Sequence, residues 1–110
     1  MDYLKFMKTL NYGKLLISIE KSEIKEKDLI VTVKIKNTAS VQNIIFPDEE
    51  IRLLDDKEII PLNNYKFENN LDPGQETSGQ LLFKIIIKPK KAVIQFGKST
   101  LPKTNTELKI

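Results

Sequence analysis

The chain is predicted to be all-β: an antiparallel sandwich of about seven strands behind a short N-terminal arm. Three observations predict this. Apolar and polar residues alternate with period two over several short runs, the mark of half-buried strands. Turn residues punctuate those runs at short intervals. Beyond the first dozen residues no window holds apolar side chains at helical spacing.

The first twelve residues, with Leu4, Met7 and Leu10, allow one short helix or a loose arm, and the sandwich is placed over residues 13–110. "KLLISIEK" puts Leu15, Ile17 and Ile19 on one face of a strand, and "SEIKEKD" reads as a charged connector. "DLIVTVKIKNT" is the clearest strand, with Leu29, Val31, Val33 and Ile35 inward and Ile30, Thr32, Lys34 and Lys36 outward. Asn37 ends it, because an Asx side chain bonds its own backbone and starts a turn. A short strand is expected near Ile44–Phe46, stopped by Pro47, which cannot donate to a ladder. "EIRLLD" and "EIIPL" form a hairpin around Asp55 and Asp56, with Pro61 placing the second arm at a sheet edge.

"LDPGQETSGQLLFKI" follows. Pro73 sets φ for the second turn position and Gly74 supplies a positive φ for the third, which is type II chemistry. The strand after it is expected to run from Leu81 to Ile87, with Leu81, Phe83, Ile85 and Ile87 inward. Gly79 shares their phase and marks a close approach by a crossing neighbour. "AVIQFG" and "TNTELKI" supply the last strands.

Composition excludes much chemistry. With no Cys there are no disulfides, thiolate metal sites or cysteine nucleophiles, and with no His the commonest general base and zinc ligand are missing. Up to Asp55 the chain has 9 Lys/Arg against 9 Asp/Glu, and after it 9 against 6, giving a net charge of +3. That excess is too small and too scattered for a nucleic-acid binder. No apolar run reaches the roughly 18 residues of a membrane span. "MDYLKFMKTLNYG" lacks a signal-peptide pattern, since Lys5 and Lys8 interrupt it.

"LIVTVKIKNTA", "IRLLDDKEIIPL", "LDPGQETSGQLLFKI" and "KAVIQF" resemble, in order and spacing, an immunoglobulin-like β-sandwich family of unknown function. That family occurs in bacterial lipoproteins and secreted antigens and is similar in fold to the mycobacterial MPT-type antigens. The resemblance runs from Leu15 to Phe96 and rests on Val31, Val33, Asn37, Thr38, Leu54, Asp55, Leu71, Pro73, Gly74, Gly79 and Phe83. Two departures are Asp56 and Ala39, where the pattern has Gly. The resemblance implies the fold and a location at the cell envelope or exterior. It brings no catalytic residues and no cofactor.

Candidate chemistry is sparse. Asp48, Glu49 and Glu50 lie at one end of a predicted strand and Asp55 and Asp56 at the other, roughly 20 Å apart, too far for a paired-carboxylate site. They read as solvated turns. "KPKK" with Lys84 and Lys88 reads as a basic turn that guards apolar strands against aggregation. Ser78, Ser99 and Thr100 are nucleophiles without a base. The anomaly is four apolar residues on the outward phase: Leu16, Ile30, Leu82 and Ile86. If Ile30 faces Ile86, and Val31, Val33 and Ile35 face Ile85, Phe83 and Leu81, the four share one outer sheet face. Such a patch needs a cover, either the arm (Leu4, Phe6, Met7, Leu10) or a second molecule.

The expectation is therefore a non-catalytic interaction or structural module of the bacterial cell envelope or exterior. It would meet a protein partner or a second copy, with no nucleic acid and no membrane span. The first alternative is a small carbohydrate- or metal-binding domain using loops at one end, with Tyr65 and Phe67 as the candidate sugar platform. The second is an intracellular or viral assembly subunit, which would place the chain in the cytoplasm.

Overall fold

The computed structural model describes residues 8–56, 58–98 and 103–108. Among these residues eleven strands run in chain order: β1 (Lys8–Tyr12), β2 (Leu15–Lys25), β3 (Asp28–Asn37), β4 (Asn43–Ile44), β5 (Ile51–Asp55), β6 (Glu58–Pro61), β7 (Asn64–Lys66), β8 (Asn70–Leu71), β9 (Glu76–Lys84), β10 (Ala92–Phe96) and β11 (Thr104–Glu107). One helical turn, α1 (Pro47–Glu50), precedes β5.

The strands form a five-stranded sheet in the order β1-β2-β3-β9-β7 and a four-stranded sheet in the order β11-β10-β5-β6, with β4 and β8 as a small separate ribbon. Every pairing is antiparallel. The order β2-β3-β9-β7 is the A-B-E-D sheet of an immunoglobulin sandwich, and β11-β10-β5-β6 is its G-F-C-C′ sheet. The fold is an immunoglobulin-like antiparallel β-sandwich, with β1 added beside the first strand. The two main sheets hold nine strands where about seven were expected from the sequence.

The inward phase is the one the alternation predicts. Val33, Ile35, Leu81, Phe83 and Ile94 are each fully buried, whereas Lys34 is half-exposed and Lys36 and Lys84 are exposed. They join Ile17, Ile19, Leu29, Val31, Leu53 and Phe96 in one core between the sheets. The register differs. Ile30 faces Leu82, Val31 faces Leu81 and Leu29 faces Phe83, a four-residue displacement from the expected pairing. An even displacement keeps every side chain on its face, so alternation cannot detect it.

Three further segments depart from expectation. Lys8–Tyr12, assigned to the arm, is the edge strand β1, joined to β2 through Gly13 at φ +60°. Ser22–Lys25, read as connector, continues β2 past an irregularity at Glu20. The extra residue flips the phase, so Ile24, out of step with Ile19, also packs against the core. Finally β9 ends at Lys84, because its partner β3 begins at Asp28. Ile85 is still buried, but Ile87 is exposed rather than inward.

The turn at Asp72–Gln75 has the expected geometry. Gly74 has φ +79°, and the Gln75 N–H donates to the Asp72 carbonyl at 2.9 Å. Asn37 locks this turn to the end of β3: its carbonyl accepts from the Gly74 N–H and its Nδ2 donates to the carbonyls of Leu71 and Val41. A Cβ at Gly74 would meet no atom within 4 Å, so the constraint there is backbone conformation. Gly74→Val is expected to cost about 1–3 kcal/mol in denaturant unfolding. Gly74→Asn should cost less, because Asn tolerates positive φ. Equal costs would remove the conformational explanation.

Candidate interaction surfaces

The outer face of the five-stranded sheet is mostly polar. Residues facing one another across its strands are Lys34 with Ser18 and Ser78, Thr32 with Lys21 and Gln80, and Lys36 with Leu16 and Glu76. Lys34 reaches Glu20 and Glu76 at 3.6 and 3.8 Å, and Lys84 reaches Asp28 at 2.8 Å. Of the four outward apolar residues, the structure brings two together: Ile30 lies directly opposite Leu82, both half-buried. Leu16 lies opposite Lys36, six positions along β3 from Ile30, roughly 20 Å away. Ile86 lies beyond the end of β9 in a loop. Of the expected cover, Leu4, Phe6 and Met7 fall outside the described residues, and Leu10 packs against the core.

The outer face of the four-stranded sheet is different. The register aligns Ile59 of β6 with Leu54 of β5, and Leu54 with Val93 of β10. These three apolar side chains form one continuous row across adjacent strands, with Glu107 at its β11 end. Ile59 is 66% exposed, and Leu54 and Val93 are half-buried. The neighbouring row runs Pro61, Arg52, Gln95, Asn105. Arg52 is held there by three hydrogen bonds: Nη1 donates to Gln95 Oε1 at 2.6 Å, and Nη2 donates to the carbonyls of Gly97 and Glu49 at 2.7 and 3.0 Å. A planar, multiply bonded guanidinium of this kind is pre-ordered for contact. The outward phase of Leu54 and Val93 is legible in the sequence. Their alignment with Ile59 is not, because it needs the register of three strands.

The acidic residues divide. Asp48 and Glu49 are exposed, and Asp56 sits in the β5–β6 hairpin at φ +56°. Glu50 is 3% exposed, which corrects its reading as a solvated turn residue. Its Oε1 accepts from the Tyr12 hydroxyl at 2.6 Å and its Oε2 from the Phe46 N–H at 2.7 Å. Burial and the adjacent Glu50 push the Tyr12 phenol well above its usual range, so it stays protonated and donates. The pair ties β1 to α1 and is satisfied within the protein. Among the described residues no group of three or more His, Cys, Asp or Glu is placed to hold a metal ion. Tyr65 and Phe67 meet at a tilt of 47° with ring centroids 5.1 Å apart, and both pack against the core. They form no exposed platform. Ser78 is exposed on β9, and Ser99 and Thr100 lie outside the described residues.

No protein-family model matches the chain, and no curated protein sequence does. Solved structures match its fold. A functionally unknown protein from Listeria monocytogenes EGD-e superimposes with a TM-score of 0.71 at 12% identity, over 94% of this chain and 82% of that one. The archaellum periplasmic stator protein FlaG from Sulfolobus acidocaldarius gives 0.52 at 10% identity, over 82% and 95%. The archaellum periplasmic stator complex of FlaF and FlaG from the same organism gives 0.55 at 10% identity, over 98% and 100%. At these identities the likeness is one of fold. Among the described residues no helix is long and apolar enough to cross a membrane.

Proposed function

We propose that the chain is a non-catalytic interaction or structural module of the bacterial cell envelope or exterior, and that it meets a protein partner through the outer face of its four-stranded sheet. The observation that carries this reading is the row Ile59–Leu54–Val93. Three aligned aliphatic side chains beside an ordered arginine have the apolar-core, polar-rim make-up of a protein contact. The outer face of the five-stranded sheet is laced with ion pairs, and its Ile30–Leu82 pair is a smaller candidate contact. Two fold neighbours are periplasmic stator proteins, one solved as a two-protein complex. That supports both the partner and the location without naming either for this chain.

Site-specific photocrosslinking in the native cell tests the reading. A crosslinker at Ile59 should capture one discrete protein, a partner or a second copy, and one at Lys34 should not. Capture should fall when Leu54 is replaced by Lys, which sets a charge in the middle of the row. Equal capture at both positions, or none at Ile59, would sink the proposal. Cell fractionation tests the location separately.

A further inference from the structure

The segment "KIIIKPKK", from Lys84 to Lys91, has a feature that the sheet surface does not explain. Ile85 is buried and its N–H donates to the Lys27 carbonyl at 2.8 Å, and Pro89 is buried four residues later. Between these anchors the chain holds Ile86 at 94% and Ile87 at 78% exposure. They are the two most exposed large apolar side chains among the described residues. Lys88, Lys90 and Lys91 are exposed beside them. From Thr77 to Thr106 the sequence contains no Asp or Glu.

We propose that this loop docks on a bilayer containing anionic lipids. Ile86 and Ile87 enter the boundary between headgroups and acyl chains, and Lys88, Lys90 and Lys91 meet the lipid phosphates. The pairing of chemistries favours this occupant. An aliphatic tip beside cations of one sign matches a surface that is apolar a few ångströms below an anionic layer. The segment has no aromatic residue to stack a base, which disfavours single-stranded nucleic acid. The proposal does not depend on the protein contact assigned to the sheet face.

The electrostatics set how such binding behaves. Lys84 is engaged by Asp28 at 2.8 Å and contributes little. Asp55, Asp56 and Glu58 line the cleft that the loop borders, together with Ile60. These carboxylates oppose an anionic surface and offset part of the attraction of the three lysines. Neither the charge nor the apolar tip suffices alone. Binding is therefore reversible, salt-sensitive and dependent on both.

Co-sedimentation of the full chain with vesicles tests this, using phosphatidylcholine alone and phosphatidylcholine mixed with phosphatidylglycerol. Binding to the anionic vesicles is expected, with loss at high salt. Ile86→Ser combined with Ile87→Ser should lower partitioning at least about tenfold. Neutralising Lys88, Lys90 and Lys91 to Gln should do the same, at up to roughly fivefold per lysine. Asp56→Asn with Glu58→Gln should raise partitioning severalfold. All these positions are exposed, so an unchanged circular dichroism spectrum is expected throughout. Equal binding to both vesicle types, no binding to either, or binding indifferent to the isoleucine changes would overturn the proposal. So would a serine variant that dissolves a self-associated species when wild type ignores vesicles, because the loop would then belong to a contact between copies.

Discussion

Gly79→Ala is expected to cost at least about 3 kcal/mol of stability, a large penalty for one added methyl group. A Cβ at that position would stand 1.7 Å from the Lys66 carbonyl oxygen and 2.7 Å from Phe67 Cβ. Both obstacles belong to the end of β7, the strand paired with β9 at the sheet edge, and to the residue after it, where the chain closes over the Gly79 position. The first is backbone, so no rotamer change relieves it. Either β7 detaches from the sheet edge or β9 bends, and each loses ladder hydrogen bonds. In thermal unfolding the midpoint should fall by about 12 °C or more for a chain of this size. Gly13→Ala is the control. Gly13 has a positive φ, which Gly79 does not, and nothing lies within 4 Å of its Cβ position. Its substitution should cost only the backbone term, about 1–2 kcal/mol. If Gly79→Ala costs no more than Gly13→Ala, the close approach is not a rigid constraint.

Phe83→Ala is expected to cost about 3–5 kcal/mol, from lost transfer energy plus the cavity left behind. Phe83 is fully buried on β9, facing the fully buried Leu29 of β3, and is among the largest buried side chains in the core. A cost near the upper end of that range is a large part of the stability of a small protein. Phe83→Leu should cost much less, because it keeps most of the volume. Urea unfolding of both variants checks this. A Phe83→Ala cost below about 1 kcal/mol would mean that the β3–β9 core collapses around the gap.

The two substitutions probe different information. Phe83 is readable from alternation alone: the phase that buries Leu81 buries Phe83 wherever the strand pairs. The close approach at Gly79 is also signalled, since a glycine on an inward phase leaves room for something. What fills that room, the carbonyl of Lys66, is decided thirteen residues earlier in the chain, by how it returns after β6.

By itself the sequence determined the class of fold, the strand phases, the Asp72–Gln75 turn and the absence of thiol and imidazole chemistry. These follow from residue type and from short-range periodicity, which act within a few bonds. Tertiary structure decided the rest. Register was open because any even shift preserves the faces, so Ile30 meets Leu82 rather than Ile86. The same freedom hid the row Ile59–Leu54–Val93, which exists only once three strands are aligned. The end of β9 was hidden because "KIIIK" is as apolar outside the sheet as inside it, and only the start of β3 at Asp28 withdraws the partner. The burial of Glu50 was hidden too, because a carboxylate is kept from water only where Tyr12 and the Phe46 N–H, distant or on another element, converge to satisfy it.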